Sequence, residues 1–161
     1  MLQIESQHCN CSRNIPKPKK RTLGEHNILF NQTTCSLESF NRGFGQKIVS
    51  FSYYKYMYIE IDNINYIEDI QENLNLISKY YPGWIMRVYI DIDDISYPFL
   101  QDLCKLVCKN PILDICNIKN LPGTPFKNSQ FIHSMNWKFF PTLDPQVKSI
   151  IFVKLQNYRL H

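Results

Sequence analysis

The chain lacks any apolar run approaching the ~18 residues a membrane-spanning helix needs, and Met1 leads into a polar stretch, not a secretory leader. The expectation is a cytosolic product, or one whose membrane anchor lies upstream of Met1. There is no Cys-x-x-Cys pair and no paired histidine to complete a zinc ligand set, so no metal site is read. His133 and His161 have no visible Ser or Cys partner, which leaves no nucleophile–base triad. Basic surplus is missing where a nucleic acid would need it. Residues 1–47 carry seven Lys/Arg against three Asp/Glu, and residues 48–161 carry eleven of each, so the net charge of +4 belongs to the first part alone. Tracking phosphates requires that charge on the folded domain, and nucleic acid is therefore not expected as a partner. Carboxylates run out early as well: none follows Asp144.

What is present suits one packed domain. At 161 residues, 44% hydrophobic and 14% aromatic, the chain can bury roughly two thirds of its unfolded surface. Residues 1–45 have no sustained periodicity and are rich in Asn, Ser, Thr, Cys and Pro, as in a disordered, stem-like tail. Within them Lys17-Pro18-Lys19-Lys20-Arg21 resembles a basic targeting run, but a solvated linker is the favoured reading. Asn10-Cys11-Ser12 and Asn31-Gln32-Thr33 are triplets that accept N-linked glycans if the chain enters the secretory pathway. Of six cysteines, Cys9, Cys11 and Cys35 lie in this tail; Cys104 and Cys108 share one helical face, with Cys116 beyond them. A disulfide from Cys116 to one of the helical pair and three free, buried thiols are both open, the compartment deciding between them.

From residue 46 to 155 the pattern alternates between strand and helix. Lys47–Tyr54 is β-branched and aromatic and follows the Gly43–Gly45 breaker, giving strand one. Tyr56–Ile61 is apolar and reads either as a strand extension or as a loop packed on the sheet. Ile64, Ile67, Leu74, Ile77 and Tyr81 keep one helical face apolar, Asn65 and Glu68 resemble a capping box, and Pro82-Gly83 ends the helix. Strand two is Trp84–Ile90. Pro98 opens a second helix with a face of Phe99, Leu103, Leu106 and Val107, closed by Asn110-Pro111. Strand three is Ile112–Ile118. A Gly/Pro/Asn-rich loop, Lys119–Phe131, leads to a short helix over Met135–Leu143, and Ser149–Val153 is strand four. Such alternation predicts an α/β, Rossmann-like three-layer sandwich with a mainly parallel sheet.

Several of these residues form a recognisable series: Tyr81-Pro82-Gly83-Trp84, then Arg87-Val88-Tyr89 in strand two, Leu121-Pro122-Gly123, Trp137-Lys138-Phe139, and Asp144-Pro145-Gln146-Val147. Over residues 45–148 this series resembles a glycosyltransferase-like family of animals and bacteria. The resemblance implies the N-terminal half of a GT-A domain, the half that binds a nucleotide-sugar, with Mn²⁺ or Mg²⁺ as cofactor in full-length relatives. It also implies a Golgi-lumen or other secretory location for animal relatives, tethered through an anchor this chain does not contain. The family continues with an Arg-Asp-x-Asp-Ser strand end; here Lys154-Leu155-Gln156-Asn157-Tyr158 stands in its place, and residues 156–161 form a divergent end. A diphosphate leaving group needs a cation held by carboxylates, so the expectation is a truncated, catalytically inactive form with no catalytic residue and no cofactor of its own. The alternative is a non-catalytic binding module.

For any nucleotide-sugar that is weakly bound, the carboxyl ends of the first two strands are the place to look. That nominates Ser52, Tyr54 and Asp91, with Arg87 nearby, while Lys138 takes the place of the family's arginine. Arg87 has a second reading, as a sheet-face residue paired with a helix acid. Asp91, Asp93 and Asp94 imitate an Asp-x-Asp, but a solvated strand end explains them. Trp84 and Trp137 are expected in the core.

Overall fold

The computed structural model describes Cys9 and residues 29–53, 66–124 and 132–154. Four parallel strands form one sheet: β1 (Gln46–Ser52), β2 (Ile85–Ile90), β3 (Leu113–Asn117) and β4 (Val147–Lys154), in the order β3-β2-β1-β4. Alternation divides each strand between two faces. On one face Val49, Phe51, Met86, Val88, Ile90 and Leu113 pack against helices α2 (Tyr66–Tyr80) and α3 (Tyr97–Lys109). The helices contribute Ile70, Leu74 and Ile77 from α2, and Leu103, Leu106 and Val107 from α3. Each such fully buried side chain is worth about 1.5–3 kcal/mol in apolar area removed from water.

Both crossover helices follow their punctuation. Ser96 caps α3, its hydroxyl accepting from the Phe99 amide at 3.4 Å, and Pro98 sits in the first turn, where its missing N–H costs nothing. After α2, Gly83 takes a φ of +83°, which lets the chain turn sharply into β2. Asn65, Ile64 and the Tyr56–Ile61 stretch lie outside the described residues.

The second face is covered differently. Between β3 and β4 the short helix expected over Met135–Leu143 is a ten-residue 3-10 stretch, Ser134–Leu143. Pro141 inside it has no N–H to return to the preceding turn, which disfavours regular α geometry. Trp137 and Phe140 from this stretch join Cys35, Tyr89, Cys116, Ile118 and Leu121 in a smaller core. Trp137 is thus a core residue, its indole N–H donating to the Ile132 carbonyl at 3.1 Å; Trp84 is half-buried against the larger core.

Residues 29–45, read from sequence as tail, are instead part of this layer. Ser36 caps a short helix, α1 (Leu37–Asn41), accepting from the Ser39 amide at 3.0 Å, and Thr33, Thr34, Cys35, Ser36 and Ser39 are all buried. The disulfides follow the same logic. Cys116 bonds to Cys35 on the facing segment, and Cys104 bonds to Cys9. The pairing weighed from sequence, Cys116 with one of the helical pair, is not formed: β3 directs Cys116 to the face opposite α3. Cys108 is disulfide-bonded as well. The two bridges close 95 and 81 residues, and chain-entropy arguments give each about 4.5 kcal/mol if it acts alone.

Candidate functional site

Strand register brings chemistry-bearing residues into two rows across the second face. Ser50 aligns with Arg87 and Arg87 with Asp114; one step on, Ser52 aligns with Tyr89 and Tyr89 with Cys116. Polar residues at period two in strands otherwise apolar need partners on the covering layer, because an unpaired buried polar group costs about 1–3 kcal/mol.

Arg87 is fully buried. Its Nη1 donates to Asp144 Oδ2 at 3.0 Å and its Nη2 to Gln46 Oε1 at 2.9 Å, while Nε has no partner among the described residues. Asp144, also buried, gathers three further donors: the Thr33 hydroxyl at 2.9 Å, the Thr34 amide at 3.2 Å and the Gln146 amide at 3.0 Å. Burial alone would pull the guanidinium pKa down, but Tyr89, Asp144 and Asp114 outweigh it and hold Arg87 above its ordinary value. Burial pushes the Tyr89 phenol up to about 12 against the opposing pull of Arg87, and its oxygen shares a 3.2 Å hydrogen bond with Thr34 Oγ1.

A second buried pair lies alongside. Arg42 grips Asp114 through Nε at 3.0 Å and Nη2 at 2.7 Å, and the Ser39 hydroxyl donates to the same carboxylate at 2.8 Å. Burial raises the Asp114 carboxyl, but Arg42 more than reverses this, aided by Arg87 and Ser39, and the net shift is downward. Gln46 ties the pairs together, its Nε2 donating to the Ser39 and Gly43 carbonyls while its Oε1 receives Arg87.

The residues nominated from sequence divide accordingly. Ser52 and Lys138 meet, through the backbone: the Lys138 amide donates to Ser52 Oγ at 2.8 Å, and the Ser50 hydroxyl donates to the Lys138 carbonyl at 2.7 Å. These two serines pin the 3-10 stretch to β1. The Lys138 ammonium lies 5.5 Å from the centre of the Phe139 ring. Arg87 is a sheet-face residue paired with an acid, as in its second reading, but that acid is Asp144 in the turn after the 3-10 stretch and not a helix residue. Asp91 lies about 13 Å further along β2 by strand rise, and is not joined to it. There it caps a 3-10 turn, Ile92–Asp94, accepting from the Asp93 amide at 3.1 Å. Lys119 bonds to Asp93 and stands 4.0 Å from Asp91, whose carboxyl is raised by burial and by Asp94 despite that lysine. Tyr54, Asn10 and His161 lie outside the described residues. His133 accepts from the Met135 amide and caps the 3-10 stretch.

Sequence reasoning missed Asp144, Asp114, Arg42, Gln46, Thr33 and Thr34. One signal was readable: an aspartate flanked by Leu113 and Ile115 in an apolar strand has to be paired wherever it is buried. Among the described residues no helix is long and apolar enough to cross a membrane, and no group of three or more His, Cys, Asp or Glu is placed to hold a metal ion. Compared with models of known families, with curated proteins and with solved structures, the chain matches none.

Proposed function

We propose that the protein derives from nucleotide-sugar-dependent glycosyltransferases and that this polypeptide keeps the donor half of the fold as a scaffold, without transferring sugar. The observation that carries the reading is the strand order. In β3-β2-β1-β4 the direction of winding reverses between β1 and β4, and ligands of open α/β sheets sit beyond the carboxyl ends of the strands at such a reversal. The lineage rests on the motif series along residues 45–148.

The scaffold half of the reading rests on how the nominated side chains are used. Arg87 is sealed between Asp144 and Gln46, and Ser52 holds the Lys138 amide. Neither is left over for a diphosphate. Departure of a nucleoside diphosphate also calls for a carboxylate-held cation, and Lys154-Leu155-Gln156-Asn157-Tyr158, where the resembled family has Arg-Asp-x-Asp-Ser, supplies no carboxylate.

Thermal-shift titration of the purified chain with UDP- and GDP-sugars plus Mn²⁺ tests the scaffold claim. No shift and no turnover at millimolar ligand is the expected result; turnover abolished by EDTA overturns it. The lineage claim has its own test. An open frame encoding Arg-Asp-x-Asp-Ser downstream of the Val153 codon in the genome supports it, and its absence in every frame counts against it.

A further inference from the structure

The geometry points to Asn31 as an N-glycan acceptor that is competent only before the domain folds. This goes beyond the functional reading above and does not depend on it. The triplet Asn31-Gln32-Thr33 is split by the fold. Asn31 is exposed on the 3-10 turn Phe30–Gln32, with room for a large, hydrated adduct. Thr33, whose hydroxyl defines the acceptor motif, is completely buried, and that hydroxyl donates to Asp144 Oδ2 at 2.9 Å.

Two further features seal the motif. Gly123, at φ +71°, lies so close that a Cβ there would stand 2.4 Å from the Gln32 carbonyl oxygen and 2.8 Å from that of Thr33. The 121–124 turn therefore roofs the backbone an oligosaccharide transferase would need to grasp. Two residues beyond Thr33, Cys35 is bonded to Cys116, with both sulfur-bearing residues buried. Closing that bridge fixes Thr33 against Asp144. Bridges of this kind persist in oxidising compartments, which are also where N-glycans are added.

The co-reactant is a lipid-diphosphate-linked oligosaccharide. The Asn31 side-chain nitrogen attacks the anomeric carbon, forming a C–N bond as the anomeric C–O bond breaks. The lipid diphosphate leaves with the electron pair, and the amide loses one proton to a base of the transferase. In the unfolded chain both Asn31 and Thr33 are free to enter that enzyme; in the folded domain only Asn31 is. Glycan addition and closure of Cys35–Cys116 consequently compete.

The test is translation of the full chain, behind a cleavable secretory leader, into microsomes with and without reductant. An Asn10→Gln background makes the endoglycosidase-sensitive mass shift report Asn31 alone. The expected result is a shift during translocation, larger with reductant, lost in N31Q and kept in T33S. Oxidised, folded chain offered afterwards to transferase and lipid-linked oligosaccharide is expected to show no shift. The nascent-chain readout does not require any variant to fold. An Asn31 that stays unmodified in both redox conditions overturns the inference, and so does folded chain modified as readily as nascent chain.

Discussion

Arg87 Nη1 meets Asp144 Oδ2 at 3.0 Å with both side chains wholly excluded from solvent, joining β2 to the turn that leads into β4. The pair sits between the sheet and the Thr33–Thr34 segment, which reaches Asp144 across 111 and 110 positions of chain. Burying two charges is costly, and the cost is offset by their mutual attraction and by the further hydrogen bonds that Gln46, Thr33, Thr34 and Gln146 make to them. Arg87→Met leaves Asp144 charged beneath the Thr33–Thr34 segment and strands the Gln46 carbonyl. We expect a loss of about 3–5 kcal/mol, read as a lower urea midpoint. A loss below about 1 kcal/mol would mean the pair is hydrated and the burial argument fails.

The second pair sets an acid limb. Asp114 has a folded pKa below its unfolded one, so its contribution is complete above the ordinary carboxylate value of about 3.9 and disappears as pH falls through the folded value. Asp69, raised by burial and then by Glu72 and Glu68, works in the opposite direction, its contribution lost as pH rises. The stability gap between the parent chain and Asp114→Asn should therefore be widest near pH 7 and narrow below about pH 4. Urea melts at several pH values check this, and a gap independent of pH counts against it.

Two glycines with similar backbone angles should respond unequally. Gly83 and Gly123 have φ of +83° and +71°, but a Cβ on Gly83 meets nothing within 4 Å, whereas on Gly123 it runs into the Gln32 and Thr33 carbonyls. Gly83→Ala is expected to cost about 1–2 kcal/mol, from the left-handed conformation alone. Gly123→Ala should cost clearly more, because rigid backbone has to move. Equal losses would place the whole effect in the dihedral angle.

At the sheet edge, β4 pairs only with β1 among the described residues, and its Phe152 is 40% exposed, with its ring 4.8 Å from that of Phe139. An apolar edge strand favours association between chains. Phe152→Lys adds a charge there, and should lower concentration-dependent light scattering without lowering the melting temperature much. Unchanged scattering would show that the edge is not the sticky surface.

The sheet and its crossover helices were legible because their signals are local. All four strands start and end within about two residues of the positions read from apolar runs and Gly/Pro punctuation. The 29–45 segment left no such trace. Its place depends on Thr33 and Thr34 reaching Asp144, and on Arg42 reaching Asp114 72 positions away, contacts that no window of neighbouring residues reveals. The candidate site suffered for the same reason. Ser52 and Arg87 were chosen for standing near strand ends, but what decides their chemistry is the partner each finds in the covering layer. Asp144 stands out in the sequence only as the head of the Asp144-Pro145-Gln146-Val147 series; three of its four donors come from far along the chain.

The two bridges Cys9–Cys104 and Cys35–Cys116 overlap, so every peptide bond from residue 35 to residue 104 lies inside both. A protease that nicks the chain once in that span releases nothing. The cut product runs as a single band until thiol is added, and a gel without reductant will overstate how intact the preparation is.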